Sequence, residues 1–305
     1  MRFWIILALM LFTAYFSIQR YMHPQLTHNS ALDRIQHPLD TRLRYRIGTI
    51  DPRFNITTEQ VLQLAQQAAD IWQQGSMKSL FIYDPNAKLS INLIYDERQA
   101  ESTARKQEIK VIENSRQYTN SEQDKVKQLD AQLSQAKQAL DQYQANYQNK
   151  VNQYNQMIQA LNQAQSNLTE TARQQLDQDK QQLQKEQFEL QQQINLFNQK
   201  VAQLNQHVNT ANSINQQFNQ SVDQFNQRFQ PRQFDKGVFD GREINIYEFE
   251  SNDDLRLTIA HELGHALGLQ HNQDPKALMF PIMKEQDLAH FKLTPADLAL
   301  LNARH

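Results

Sequence analysis

The sequence predicts an α+β chain. A domain built on a small twisted sheet is interrupted by a long antiparallel α-helical hairpin and preceded by an apolar N-terminal segment. Three observations carry this reading. Short alternating apolar runs flank the middle of the chain on both sides. Between residues 99 and 230 glycine and proline are nearly absent, and apolar residues recur every seven positions. Close to the C-terminus, three histidines are spaced as on a helix followed by a turn.

Taking the elements in order, residues 3–18 form an almost unbroken apolar run between Arg2 and Arg20. About 16 residues at 1.5 Å rise cover about 24 Å, short of the roughly 30 Å hydrocarbon core unless residues 19–22 contribute. The run lacks the small residues at −3 and −1 that a cleavable signal shows, so residues 1–22 are expected to be a signal anchor, with a signal peptide as the alternative. Both place the remainder on the extracytoplasmic side, anchored to the membrane or secreted. Residues 23–40 are expected to be a linker. Residues 44–48 then read as a strand, and Thr57 or Thr58 opens an amphipathic helix carrying Val61, Leu64, Ala68 and Trp72. Residues 79–83 and 89–95 are further strands, separated by an Asp84-Pro85-Asn86 turn.

The middle of the chain, residues 99–233, reads as a coiled-coil hairpin. Val126, Leu133, Leu140, Tyr147, Tyr154, Leu161 and Leu168 make one heptad series, with companions including Leu129, Ala136, Tyr143, Met157 and Ala164, and with Lys150 as an exception. Leu176, Leu183, Leu190, Phe197, Leu204, Ala211, Phe218 and Phe225 make a second, interrupted in its companion positions by Lys180, Gln187 and Asn215. A polar break at residues 166–171 separates them, with Thr169 or Thr171 as cap. Each arm of about 60 residues would reach about 90 Å. A rod of that length is expected to recognise a protein partner or to position the rest of the chain. Helices running out and back return the chain to its starting point, so the flanks, residues 41–98 and 234–305, can form one domain of roughly 130 residues.

After the rod, residues 243–249 alternate polar and apolar side chains as a half-exposed strand does. Ser251 and Asp254 then begin a helix with Leu255, Ile259, Leu263 and Leu267 at helical spacing. On it lies His261-Glu262-Leu263-Gly264-His265-Ala266-Leu267-Gly268-Leu269-Gln270-His271. Positions i and i+4 share a helix face, so His261 and His265 can aim both imidazoles at one cation. Glu262 is carried beside that cation, where it can take a proton from water. Gly268 allows a left-handed exit, after which His271 can return as third ligand with Zn–N about 2.0–2.1 Å and a fourth position open. Just downstream stands Ala277-Leu278-Met279-Phe280-Pro281. Residues 293–295 introduce a final short helix.

The histidine motif, H-E-x-x-H-x-x-G-x-x-H, together with the methionine segment, resembles the matrixin-like metzincin peptidases, in which the turn reads A-L-M-Y-P; here Phe280 stands for the tyrosine. The resemblance covers both flanks and neither the rod nor the N-terminal run. It implies a metzincin-like catalytic domain, with one catalytic Zn2+ on His261, His265 and His271, Glu262 as general base, and Met279 in a tight turn beneath the metal. The implied function is hydrolysis of peptide bonds in protein substrates by metal-activated water. It further implies that substrate pairs with an edge strand around Ile244, Ile246 and Tyr247, and that Pro281, Ile282 and Met283 wall the pocket beyond the scissile bond. The cysteine that matrixin propeptides place on zinc is missing, since the chain has no cysteine. A disulfide framework is excluded on the same ground. A net charge of −2 offers no basic footprint for nucleic acid. The remaining histidines, His23, His28, His37, His207, His290 and His305, have no ligand-like spacing and read as surface residues. The competing class is a membrane-tethered coiled-coil scaffold, or a binding module retaining an inactive peptidase-like domain.

Overall fold

The computed structural model describes residues 2–163 and 169–303. Its chain divides into two compact units, Met1–Gln107 with Pro231–His305, and Glu108–Gln230.

The first unit is built on a five-stranded sheet of order β2-β1-β3-β5-β4, made of β1 (Leu43–Ile50), β2 (Phe81–Tyr83), β3 (Leu89–Leu93), β4 (Gly237–Phe239) and β5 (Glu243–Ile246). All pairs are parallel except β4 with β5. In β3 every residue is buried, as expected of a central parallel strand covered on both faces. The register of β1 against β3 slips between Ile47 and Ile50. There Asn92 Oδ1 accepts from the Thr49 amide at 2.9 Å, and the Asn92 amide donates to Asn245 Oδ1 at 2.9 Å. A Cβ on Gly48 would strike the Asn92 side chain, so glycine is what lets a side chain replace one rung of the ladder.

Two helices cover one face of this sheet's core. α3 (Thr58–Ser76) begins at Thr57, whose hydroxyl accepts from the Gln60 amide while Gln60 returns a bond to the Thr57 amide. It buries Val61, Leu64, Ala65, Ala68 and Trp72 against α6 (Asn252–Ala266), which starts at Ser251 as expected. Small alanines let the two helices approach, and the fully buried Trp72 fills the remaining space. A short α7 (Pro295–Ala303) closes the unit.

The N-terminal segment departs from expectation. Residues 2–22 are helical (α1, Arg2–Met22), but among the described residues no helix is long and apolar enough to cross a membrane. The membrane anchor expected of residues 1–22 is thus not supported by a spanning helix. The apolar run stops at Ile18, and Tyr15 and Gln19 both hydrogen-bond to the Pro38 carbonyl, at 2.9 and 2.8 Å. Residues 23–40, expected to be a linker, hold short helical turns. They form a 3₁₀ turn (Pro24–His28) and α2 (Ala31–Gln36), and Asn29 acts as a strand rung by accepting from the Arg44 amide at 2.8 Å and donating to the Arg42 carbonyl at 2.9 Å.

At the start of β1, Arg44 is held between Asp40 and Asp84 at 2.8 and 2.9 Å. Burial pushes the Asp40 carboxyl upward, but bonds from Arg42 outweigh it and leave it below the ordinary 3.8. The Asn86 amide, with Arg44, holds Asp84 below 3.8 as well. Depressed carboxylates stabilise the fold above their unfolded values and lose that contribution as pH falls through the folded ones. Thermal midpoints should therefore drop below about pH 4, and an Asp84→Asn variant should show a shallower drop in the same titration.

The second unit contains most of α4 (Glu97–Gln163) and α5 (Glu170–Arg228). Thr169 caps α5, its hydroxyl accepting from the Ala172 amide. Ala164, Ser166 and Leu168 of the expected break, and His305, lie outside the described residues. Side-chain contacts join Glu122 with His207, Tyr143 with Glu189 and Lys150 with Glu186, so one helix ascends as the other descends. The apolar series from Val126 to Tyr147 is half-buried. Beyond Tyr147 on α4 the companion positions move by one residue: Val151 and Ile158 turn in, while Lys150 and Met157 face out. A four-residue step from Tyr143 to Tyr147 is followed by another to Val151, which departs from the strict seven-residue spacing.

Candidate metal centre

α6 carries the site. Its last turns are anchored from below by Trp72, whose indole Nε1 donates to the Ala260 carbonyl at 2.7 Å. Gly264 lies against the Trp72 ring and the Met279 thioether, and a Cβ there would collide with both. The helix ends in a Schellman motif: the Leu269 amide bonds to the Gly264 carbonyl at 3.1 Å and the Gly268 amide to the His265 carbonyl at 2.8 Å, with Gly268 at φ +89°. The left-handed exit expected of Gly268 is thus present, and it swings the following residues back toward the helix.

The consequence is a triangle of imidazole nitrogens. His261 Nε2 lies 3.2 Å from His265 Nε2 and 3.3 Å from His271 Nε2, and the last two are 3.2 Å apart. Three nitrogens at 2.0–2.1 Å from one tetrahedral cation would stand about 3.3–3.4 Å from each other. The opposite ring nitrogens are committed elsewhere, His261 Nδ1 to the Leu278 carbonyl at 2.6 Å and His265 Nδ1 to the Leu269 carbonyl at 2.8 Å. A carbonyl can only accept, so each Nδ1 carries the proton and each Nε2 presents a lone pair to the centre. Burial holds His261 down at about 4 and lowers His265 too, which keeps both rings neutral, as ligation requires. The residues present fit a zinc ion by donor type, tautomer and spacing.

Glu262, next to His261 in the chain, is 4% exposed. Burial pushes its carboxyl up to about 7, against the Phe239 amide, which donates to Glu262 Oε2 at 2.8 Å. Met279 is fully buried under the histidine helix, within a turn whose backbone is held by a residue that sequence reasoning missed. Asp297, on α7, is fully buried and accepts from the Leu278 and Met279 amides at 2.9 and 3.0 Å. It also forms a capping box with Thr294, and that T-x-x-D spacing was the signal available in the sequence. Because the Leu278 carbonyl receives His261 Nδ1–H, Asp297 orients a ligand through one peptide unit.

Of the expected substrate-strand residues, Ile244 and Ile246 are fully buried on β5, which is paired on both sides by β3 and β4. The edge reading of residues 243–249 is therefore corrected: the edge strand is β4, three residues long and too short to carry an alternation. Tyr247 lies just past β5, with the Arg98 guanidinium 3.5 Å over its ring. Pro281 and Ile282 are exposed after the methionine turn, and Met283 packs partly against the core. Among the other histidines, His28 is half-buried, 5.0 Å edge-on from Phe239 and 3.1 Å from the Gly241 carbonyl, rather than a surface residue.

A mixed sheet with one antiparallel edge strand, a histidine helix leaving through a left-handed glycine, and a methionine turn beneath it define a metzincin-like domain. The sequence model of the matrixin family matches residues 38–303, and the chain belongs to that family. It is 47% identical over 60 residues to the macrophage metalloelastase of Oryctolagus cuniculus, a match covering 20% of this chain and 13% of that protein. It is 50% identical over 59 residues to the matrilysin of Felis catus, covering 19% and 20% respectively. Over 46 residues it is 50% identical to human matrix metalloproteinase-16, covering 15% of this chain and 8% of that protein. The chain therefore spans only a fifth or less of the length of these relatives.

Proposed function

We propose that the chain is a zinc-dependent endopeptidase acting on protein substrates outside the cytoplasm. The observation that carries this reading is the triangle of Nε2 atoms 3.2–3.3 Å apart with the buried Glu262 next to His261 in the chain. Zinc, when bound there, lowers the pKa of a coordinated water toward about 7 and polarises the scissile carbonyl. His261, His265 and His271 hold the ion through neutral Nε2 atoms. Glu262 receives the proton of the attacking water on a carboxylate oxygen and passes it to the departing amine. The substrate extends along the free side of β4, and Pro281, Ile282 and Met283 receive an apolar side chain just beyond the scissile bond. Membership of the matrixin family supports this reading. An extracytoplasmic location is supported by the apolar run behind Arg2.

The test is direct. The full chain, purified and analysed for metal, should hold about one zinc and cleave a peptide library with apolar residues leading just after the cut. Chelation should remove both properties and zinc should restore them. Metal-replete protein that hydrolyses nothing would refute the enzyme reading.

In the same proposal, α4 and α5 form an antiparallel coiled-coil hairpin that recognises a protein partner or substrate. The inward seam and the opposed ion pairs support it. Replacing residues 100–230 by a short glycine linker should preserve cleavage of small peptides and change the choice among protein substrates. Equal loss of both would count against a recognition role.

A further inference from the structure

The edge strand does more than border the sheet. Its residue Gly237 faces the shaft of Glu262: a Cβ at that position would stand 3.0 Å from Glu262 Cγ, 3.1 Å from Oε1 and 2.9 Å from Ile246 Cδ1. Two residues on, the Phe239 amide points away from the β4–β5 ladder and donates to Glu262 Oε2 at 2.8 Å. The carboxylate is therefore gripped on one oxygen by a backbone N–H and given room on the other by the absence of a side chain.

The strand that does this is itself pinned. Lys236, immediately before β4, reaches Asp254 in the first turn of α6 at 2.6 Å and Glu248 at 3.3 Å, and its carbonyl accepts from the Tyr247 amide at 2.8 Å. Asp254 Oδ2 also accepts from the Glu250 amide at 2.8 Å, and Ser102 Oγ donates to Glu248 Oε1 at 2.8 Å. Both carboxylates are almost wholly buried. Two buried carboxylates share this one half-buried lysine, and the contact with Asp254 ties the start of β4 to the helix that carries Glu262.

We infer that Gly237 and Phe239 are positioning residues for Glu262, holding its carboxylate at one place beside the three histidines, with Lys236 as the anchor of the strand. The inference rests on the proposed role of Glu262, and its structural half can be tested without that role. One oxygen is occupied by the Phe239 amide, which leaves Oε1, on the Gly237 side, as the oxygen free to exchange a proton. A methyl group at 237 crowds Ile246 Cδ1 on one side and Glu262 Cγ and Oε1 on the other, so the glutamate side chain is pressed out of its place. A proline at 239 deletes the N–H without removing a ladder bond, a substitution that edge strands tolerate.

Two measurements decide it. In the metal-free full chain, thermal midpoints are compared for the parent, Gly237→Ala, Glu262→Ala and the double variant. If 237 and 262 press on each other, Gly237→Ala should lower the midpoint at least twice as far with Glu262 present as with alanine there. Equal drops in both backgrounds would overturn the placement. In the zinc-loaded chain, Gly237→Ala and Phe239→Pro should each lower kcat at least tenfold, with KM within twofold and metal content unchanged. Metal-loaded variants with kcat within twofold of the parent would overturn the positioning role. Should the parent itself show no hydrolysis, the proposed function fails while the midpoint comparison still decides whether β4 constrains Glu262.

Discussion

Glu262→Ala should lower kcat/KM by about 10²–10⁴-fold while zinc stays bound, because the variant removes a proton acceptor and touches none of the three imidazoles. Burial pushes the Glu262 carboxyl up to about 7. A carboxylate held beside the attacking water can take its proton and return it to the departing amine, which is what general acid–base catalysis demands. The Phe239 amide, left without its acceptor in the variant, can bind water at the open edge of β4, so the fold should survive. Metal analysis and peptide hydrolysis on one preparation make the check. Equal turnover by parent and variant would remove Glu262 from the chemistry, whereas loss of zinc would show that its carboxylate has a ligand's part.

The second large effect is expected far from the reacting atoms. Asp297→Ala should destabilise the first unit by about 2–5 kcal/mol, since it strands buried amide donors that cost about 1–3 kcal/mol each when left unsatisfied. For a unit of this size the thermal midpoint should fall by roughly 10 °C. The loss should be selective in one respect. With Leu278 and Met279 no longer fixed, the carbonyl that orients His261 Nδ1–H drifts, so zinc affinity should fall by about 10–100-fold. Competition against a metal indicator measures this. An affinity within twofold of the parent would confine Asp297 to holding α7 in place. Asp297→Asn, which keeps an accepting oxygen, should recover part of both quantities.

The local elements were largely readable because their causes are local. Thr57, Thr169 and Ser251 cap the helices that the sequence expects them to cap, and Gly268 adopts the left-handed conformation that its place after the histidines requires. The two heptad series fall within the two long helices, and the four-residue step after Tyr147 escaped the reading, since such a shift is easily hidden where Gln and Asn dominate. What could not be read depends on which segments become neighbours. β4 is three residues long and shows no alternation, so the edge of the sheet was assigned to residues 243–249, which the fold encloses. Asp297 looks like an ordinary first-turn acid until the methionine turn packs onto it. No described helix is long and apolar enough to cross a membrane, and the shortness of the run at residues 3–18 was visible in the sequence.

Helical spacing and a single glycine are enough to bring three imidazoles toward one point, because backbone geometry over eleven residues is short-ranged. The His265 Nδ1 finds its carbonyl only 4 residues on, but the carbonyl that takes His261 Nδ1–H lies 17 positions away and the strand against Glu262 lies 23 away, so packing decided both. Those contacts exist only after apolar burial has chosen one packing of sheet against helix, and hydrogen bonds then select among side chains that the chain order alone leaves indistinguishable.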